Sequence, residues 1–111
     1  MRITGGIARG IPLRVPSTGG VRPATDYIRE AVFNSLAAFV PGTVVLDLFA
    51  GTGAYGLESL SRGAARATCV DRRIGAELTA NAAAVAKSMG RAELPFAQIT
   101  GDATKPGVAE G

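Results

Sequence analysis

The sequence predicts an α/β domain, a parallel sheet of the doubly wound, Rossmann-like type with flanking helices. Three observations carry this. Short apolar, β-branched runs alternate with stretches of helical spacing, a glycine-punctuated turn joins the first run to the next helix, and an aspartate stands near the carboxyl end of each run. The elements follow in order. The first 22 residues are rich in Gly, Arg and Pro, with apolar patches at Ile3 and at Ile11, Leu13 and Val15 separated by Gly5, Gly6 and Gly10. This reads as a small hairpin or extended arm. From Thr25 the spacing becomes helical, with Ile28, Val32, Leu36 and Phe39 or Val40 on one face. Thr25 or Asp26 is the expected N-cap and Pro41-Gly42 the stop.

Residues 43–48 form the first buried-strand candidate, and the turn Gly51 to Gly56 leads into a short helix closed by Gly63. Ala67 to Val70 reads as a second strand ending at Asp71, Ile74 to Met89 as a helix stopped by Gly90, and Phe96 to Thr100 as a third strand followed by Gly101-Asp102. The expected organisation is a basic arm over residues 1–22 and, over 23–111, the N-terminal half of a ligand-binding α/β domain. Such sheets are completed by strands on both sides of the switch point where the ligand binds, so the chain is expected to be part of a longer protein.

Composition narrows the function. With 111 residues, 47% of them hydrophobic, one core is expected. No apolar run approaches the roughly 18 residues of a membrane span, and the N-terminus lacks a signal segment, so a soluble cytoplasmic protein is expected. Histidine is absent, which removes His-based general bases and His-ligated metal sites, and no metal is expected. The single cysteine, Cys69, lies in an apolar stretch and reads as a small buried hydrophobe. The net charge is +3, yet residues 1–29 hold Arg2, Arg9, Arg14, Arg22 and Arg29 against Asp26 alone. Planar arginine forks suit bidentate phosphate contacts, which points the arm toward nucleic acid, although a solvated basic surface explains the charge equally well.

The most informative stretch is Leu46-Asp47-Leu48-Phe49-Ala50-Gly51-Thr52-Gly53-Ala54-Tyr55-Gly56. Gly51 and Gly53 allow a sharp bend and close approach to a ligand, and the following helix offers free N–H donors at its positive end. Read literally, Gly51-x-Gly53-x-x-Gly56 with Asp71 twenty positions after Gly51 also fits a dinucleotide fingerprint. Asp47 separates the two readings. Four residues before Gly51 it would repel a pyrophosphate, but it can accept hydrogen bonds from the ammonium of a methionine moiety. That favours S-adenosylmethionine, which has an amine and a sulfonium and no phosphate. Asp71 can then take both ribose hydroxyls, as it could with either cofactor, and Asp102 the adenine amino group.

The order Asp47-x-Phe49-x-Gly51-x-Gly53, Val70-Asp71, Gly101-Asp102-Ala103 resembles the successive cofactor motifs of class I methyltransferases. Three longer stretches narrow this further: Gly5-Gly6-x-Ala8-Arg9-Gly10; Arg22-Pro23-x-Thr25-Asp26-x-x-Arg29-Glu30-x-x-Phe33-Asn34; and Asp47 to Gly56 continued by Leu57-Glu58-x-x-Ser61-Arg62-Gly63-Ala64. Together they are similar to the bacterial 16S rRNA (guanine-N2)-methyltransferase family over nearly the whole chain. The resemblance implies a Rossmann-like class I methyltransferase fold and methyl transfer from S-adenosyl-L-methionine to the exocyclic amine of a guanine in small-subunit ribosomal RNA, free or in the assembling subunit. It implies a cofactor site of Asp47, Phe49, Gly51, Gly53, Asp71, Arg72, Asp102 and Ala103. It also implies RNA contacts at Arg9, Arg22 and Arg29, with the segment 22–29 closing over the pocket.

The chain departs from the family at Ile11-Pro12, where more positive charge is usual, at Ala24 for Thr, and at Tyr27 for Arg. The family's catalytic Asp/Asn-Pro-Pro-Tyr/Phe segment has no counterpart here, since Pro95 and Pro106, the only prolines after Gly63, are unpaired in sequence. No catalytic residue is therefore assigned. Two other classes stay open, a nicotinamide-dependent (NAD) oxidoreductase fragment and a self-contained cofactor- or nucleic-acid-binding module without catalysis.

Overall fold

The computed structural model of the chain describes residues 1–15, 23–48, 52–71 and 76–101. Within these, α1 spans Pro23–Ser35, β1 Val44–Leu48, α2 Ala54–Ser61, β2 Arg66–Asp71, α3 Ala76–Ser88 and β3 Phe96–Thr100. The strands form one parallel sheet in the order β1-β2-β3, with Val44 opposite Arg66, Leu48 opposite Val70 and Asp71 opposite Thr100. The three carboxyl ends therefore lie along one edge of the sheet. Residues 1–15 fold back on themselves: Arg2 and Pro12 form an antiparallel bridge, and the Leu13 N–H donates to the Met1 carbonyl at 2.8 Å.

One core gathers the arm and the sheet. Ile3, Ala8 and Leu13 of the arm pack with Phe33, Val40, Leu57, Leu60, Ala67 and Val85, and Cys69 and Leu78 form a smaller cluster beside it. Burying side chains such as Leu57 and Leu60 stabilises the fold by about 1.5–3 kcal/mol each. Gly6 shows how tightly the arm is seated. It has φ +81°, and a Cβ built on it would lie 2.0 Å from the Ser61 carbonyl oxygen.

Helix α1 corrects three expectations, its N-cap, its end and its buried face. It begins at Pro23, whose fixed φ is pre-organised for a first turn, so Thr25 and Asp26 lie inside the helix and are not its N-cap. It also stops at Ser35; from Leu36 the chain turns, with the Phe39 N–H bonding the Leu36 carbonyl at 2.8 Å. Of the expected face, Ile28, Val32, Leu36 and Phe39 or Val40, Val40 alone is buried, and Ile28 is 53% and Phe39 72% exposed. Within the helix Arg29 and Phe33 are buried instead. The reason is electrostatic: Arg29 reaches an interior carboxylate on α2, and a buried charge must be paired.

Along β1, Val44, Leu46 and Leu48 are exposed while Val45 and Asp47 are partly covered, the alternation of a strand packed on one face only. Exposed apolar strand faces and edges promote association. The isolated 111-residue chain is expected to show concentration-dependent self-association by sedimentation, and Leu46→Lys to reduce it. Monomeric behaviour at all concentrations would show that this face is covered.

Candidate functional site

Asp47 is the penultimate residue of β1, where the parallel sheet brings it beside β2 and in front of α2. Its Oδ2 accepts from the backbone N–H of Gly56 at 3.3 Å, and the Cys69 Sγ approaches the same oxygen at 3.9 Å. The carboxylate thus satisfies one of the free donors in the first turn of α2, a role normally filled by the residue before the helix. Here that residue is Gly53, in the left-handed region at φ 81° with no side chain to offer. Gly56 needs to be small for another reason: a Cβ there would meet the Cys69 Sγ at 2.7 Å.

Burial pushes the Asp47 carboxyl above the usual carboxylate range. The Gly56 N–H and the Cys69 thiol pull it partly back, and the charge of Asp71 pushes it up again. A cation placed beside Asp47 favours its ionised form, so the affinity for such a ligand falls as pH drops through this raised value. Burial, then the charge and hydrogen bond of Asp47, push the Cys69 thiol up to about 12. It stays protonated, as its apolar surroundings in the sequence suggest. Asp71 closes β2, and its carbonyl accepts from the Gly101 N–H at 2.8 Å, tying the end of β2 to that of β3.

The arm is joined to the rest through Glu58 on α2. This side chain is fully buried and accepts from four donors: the N–H of Thr4 at 2.9 Å, the N–H of Gly5 at 3.0 Å, the Arg29 Nε at 3.0 Å and the Arg62 Nε at 2.9 Å. Burial pushes its pKa up, but the Thr4 N–H, Arg62 and Arg29 more than offset this and hold it below the usual range. One turn on, the Ser61 Oγ donates to the Gly5 carbonyl at 2.7 Å and accepts from the Ala8 N–H at 2.9 Å. Arg29 corrects an expectation. It is 1% exposed, its guanidinium bonded to Glu58, to Asp26 and to the Arg2 carbonyl, so in this arrangement it is an internal cation and not an RNA contact. Arg2, Arg9 and Arg14 lie on the surface of the arm. Phe49, Gly51, Arg72, Asp102, Ala103 and Arg22 lie outside the described residues.

The family model described as "Conserved hypothetical protein 95" matches residues 1–105. The chain belongs to that family. It is 49% identical over 85 residues to "Ribosomal RNA small subunit methyltransferase D" of Escherichia coli strain K12, covering 75% of this chain and 43% of that relative. The solved structure of the Escherichia coli protein yhhF superposes with a TM-score of 0.70 at 37% identity, covering 93% of this chain and 54% of that one. The C-terminal domain of precorrin-6Y C5,15-methyltransferase from Rhodobacter capsulatus shares the fold at 21% identity and a TM-score of 0.52, over 83% of this chain and 45% of that one. The chain thus spans about half the length of the relatives it matches. Its fold is the Rossmann-like methyltransferase fold that the resemblance implied, and no helix among the described residues is long and apolar enough to cross a membrane.

Two residues of this Conserved hypothetical protein 95 member matter to the site without having stood out in the sequence beyond a motif letter. Glu58 is one; its spacing to Arg62, one helical turn, was the available signal. Asn81 is the other. Buried in the Ala-rich α3, it donates from Nδ2 to the Thr52 carbonyl at 3.0 Å and to the Arg14 carbonyl at 3.0 Å, and accepts from the Arg14 N–H at 2.6 Å. It holds the glycine loop to the arm. A lone amide among alanines was the only hint.

Proposed function

We propose that the chain carries the S-adenosyl-L-methionine site of an enzyme that methylates the N2 amine of a guanine in small-subunit ribosomal RNA, with the RNA or the assembling subunit as partner. The observation that carries this is the placing of Asp47. Its carboxylate already takes the N–H of Gly56 in the first turn of α2, the place where a dinucleotide fold receives its pyrophosphate, and adds a negative charge there. A phosphate is disfavoured at that spot, whereas an ammonium is attracted. The nicotinamide alternative loses support for this reason.

S-adenosylmethionine supplies a methyl group made electrophilic by its sulfonium. The chain's own residues bind and orient: Asp47 toward the amino group, Asp71 toward the ribose, and Gly53 letting the backbone come close. Phe49, Gly51, Arg72, Asp102 and Ala103, which lie outside the described residues, complete this reading by resemblance. An exocyclic guanine amine is a weak nucleophile, because its lone pair is delocalised, so transfer also requires in-line positioning and acceptors for the amine protons. Arg9 and Arg22 are assigned to RNA, and the arm of residues 1–22 is read as its docking element. Within residues 23–111 lies the cofactor half of the domain.

Calorimetry with S-adenosylmethionine tests the cofactor. Asp71→Ala is expected to lower affinity by about 1.5–3 kcal/mol, the range for hydrogen bonds to a charged group. Unchanged affinity would remove Asp71 from the ribose, and binding of a nicotinamide dinucleotide in place of S-adenosylmethionine would overturn the reading.

A further inference from the structure

We propose that the cleft between the arm and the start of α1 is a binding site for one unpaired RNA nucleotide, its base stacked on Tyr27 and its phosphate held by Arg2 and Arg9. This rests on the RNA reading above and adds a place on the molecule that the strand-end carboxylates do not share. The cleft, about 460 Å³, is lined by Arg2, Thr4, Arg9, Asp26, Tyr27 and Glu30 among others, and it lies within the ~300–1,000 Å³ common for ligand pockets.

Tyr27 is the feature that needs a partner. It is 73% exposed, on a helix whose neighbouring Arg29 is buried, and nothing in the core uses its ring. An exposed aromatic beside two arginines is the combination that binds single-stranded nucleic acid, the ring for stacking and the cations for the backbone. A nucleotide can enter in only one sense. Glu30, one turn after Tyr27 on the same cleft wall, repels a phosphate and accepts N–H groups from a base edge. Asp26 is committed to Arg29 at 3.0 Å and to the Arg2 N–H at 3.4 Å, leaving the arginine side chains of the arm for the phosphate. The base therefore lies against α1 and the phosphate against the arm. Because Glu58 holds Thr4 and Gly5 of the arm and Arg29 of α1 at once, the two walls are fixed relative to each other before RNA arrives.

The test is binding of the full chain to a short unstructured RNA labelled for fluorescence anisotropy. Tyr27→Ala is expected to weaken binding roughly tenfold, as loss of one stacked base does, and Tyr27→Phe to stay within about twofold of the parent. Arg9→Ala should lower the log-log salt slope by about one. The chain has two tyrosines and no tryptophan. In the Tyr55→Phe variant, Tyr27 is thus the sole tyrosine, and RNA should quench its emission. RNA binding by the parent with an unaltered Tyr27→Ala variant and no quenching would overturn the cleft while leaving the RNA reading intact. Absence of RNA binding by the parent itself would overturn both. Equal binding of a blunt duplex would overturn the requirement for an unpaired base.

Discussion

Replacing Glu58 by alanine is expected to cost about 3–5 kcal/mol of folding stability, the loss seen when one partner of a buried ion pair is removed. Four donors lose their acceptor together, and Arg29, 1% exposed, is left as a buried charge with Asp26 as its remaining anion. Against a typical total of about 5–15 kcal/mol, this is enough to detach the arm or unfold the domain. Urea denaturation followed by circular dichroism measures it. The pH dependence gives an independent check. Glu58 is held below its ordinary value in the folded state, so its contribution is fully present above about 4.5 and is lost as pH falls through the lowered folded value. The stability gap between parent and Glu58→Ala should therefore close on acidification. Asp47, raised on folding, acts in the opposite sense in both proteins and cancels in the difference. A gap that is small, or that does not narrow with acid, would show that the arm is held by its apolar side chains and not by this carboxylate.

Gly53→Ala is expected to destabilise by about 2–5 kcal/mol, because two penalties fall on one atom. The left-handed backbone at φ +81° costs a residue with a Cβ about 1–2 kcal/mol. The new methyl lies 2.0 Å from the Leu78 Cδ1, and Leu78 is fully buried, so relief requires repacking at about 1–3 kcal/mol. A double-mutant cycle with Leu78→Ala separates the two. The crowding part should appear as a favourable coupling of about 1–3 kcal/mol, while the backbone part remains. Zero coupling would mean that the loop moves and Leu78 does not. In that case S-adenosylmethionine affinity, measured in parallel, should suffer more than stability, since Gly53 starts the helix that faces the proposed cofactor.

The architecture was legible locally. Strands β1, β2 and β3 coincide with their β-branched runs to within a residue at either end, and Gly63 and Gly90 follow α2 and α3 as the sequence led one to expect, since strand propensity and glycine stops act over a few neighbours. Asp47 and Asp71 were likewise legible as strand-end carboxylates, because a parallel sheet sets all carboxyl ends on one side. Helix α1 was not. Its apolar periodicity set Ile28, Val32 and Leu36 on one face with Phe39 or Val40, of which Val40 alone is buried, and the helix face turned inward was decided by a charge on another element, Glu58, some thirty residues away in the chain. Periodicity weighs only the residues of one helix, whereas desolvating Glu58 without cations would cost more than leaving four apolar side chains partly wet. The same long-range pairing turned Arg29 from a surface cation into an internal one and joined the arm to α2. The sequence by itself determined the order of strands and helices, the glycine turn and the carboxylates at the strand ends. Only the tertiary structure decided which arginines face outward and which face of α1 is open, because those depend on charges meeting across distances that no local pattern records.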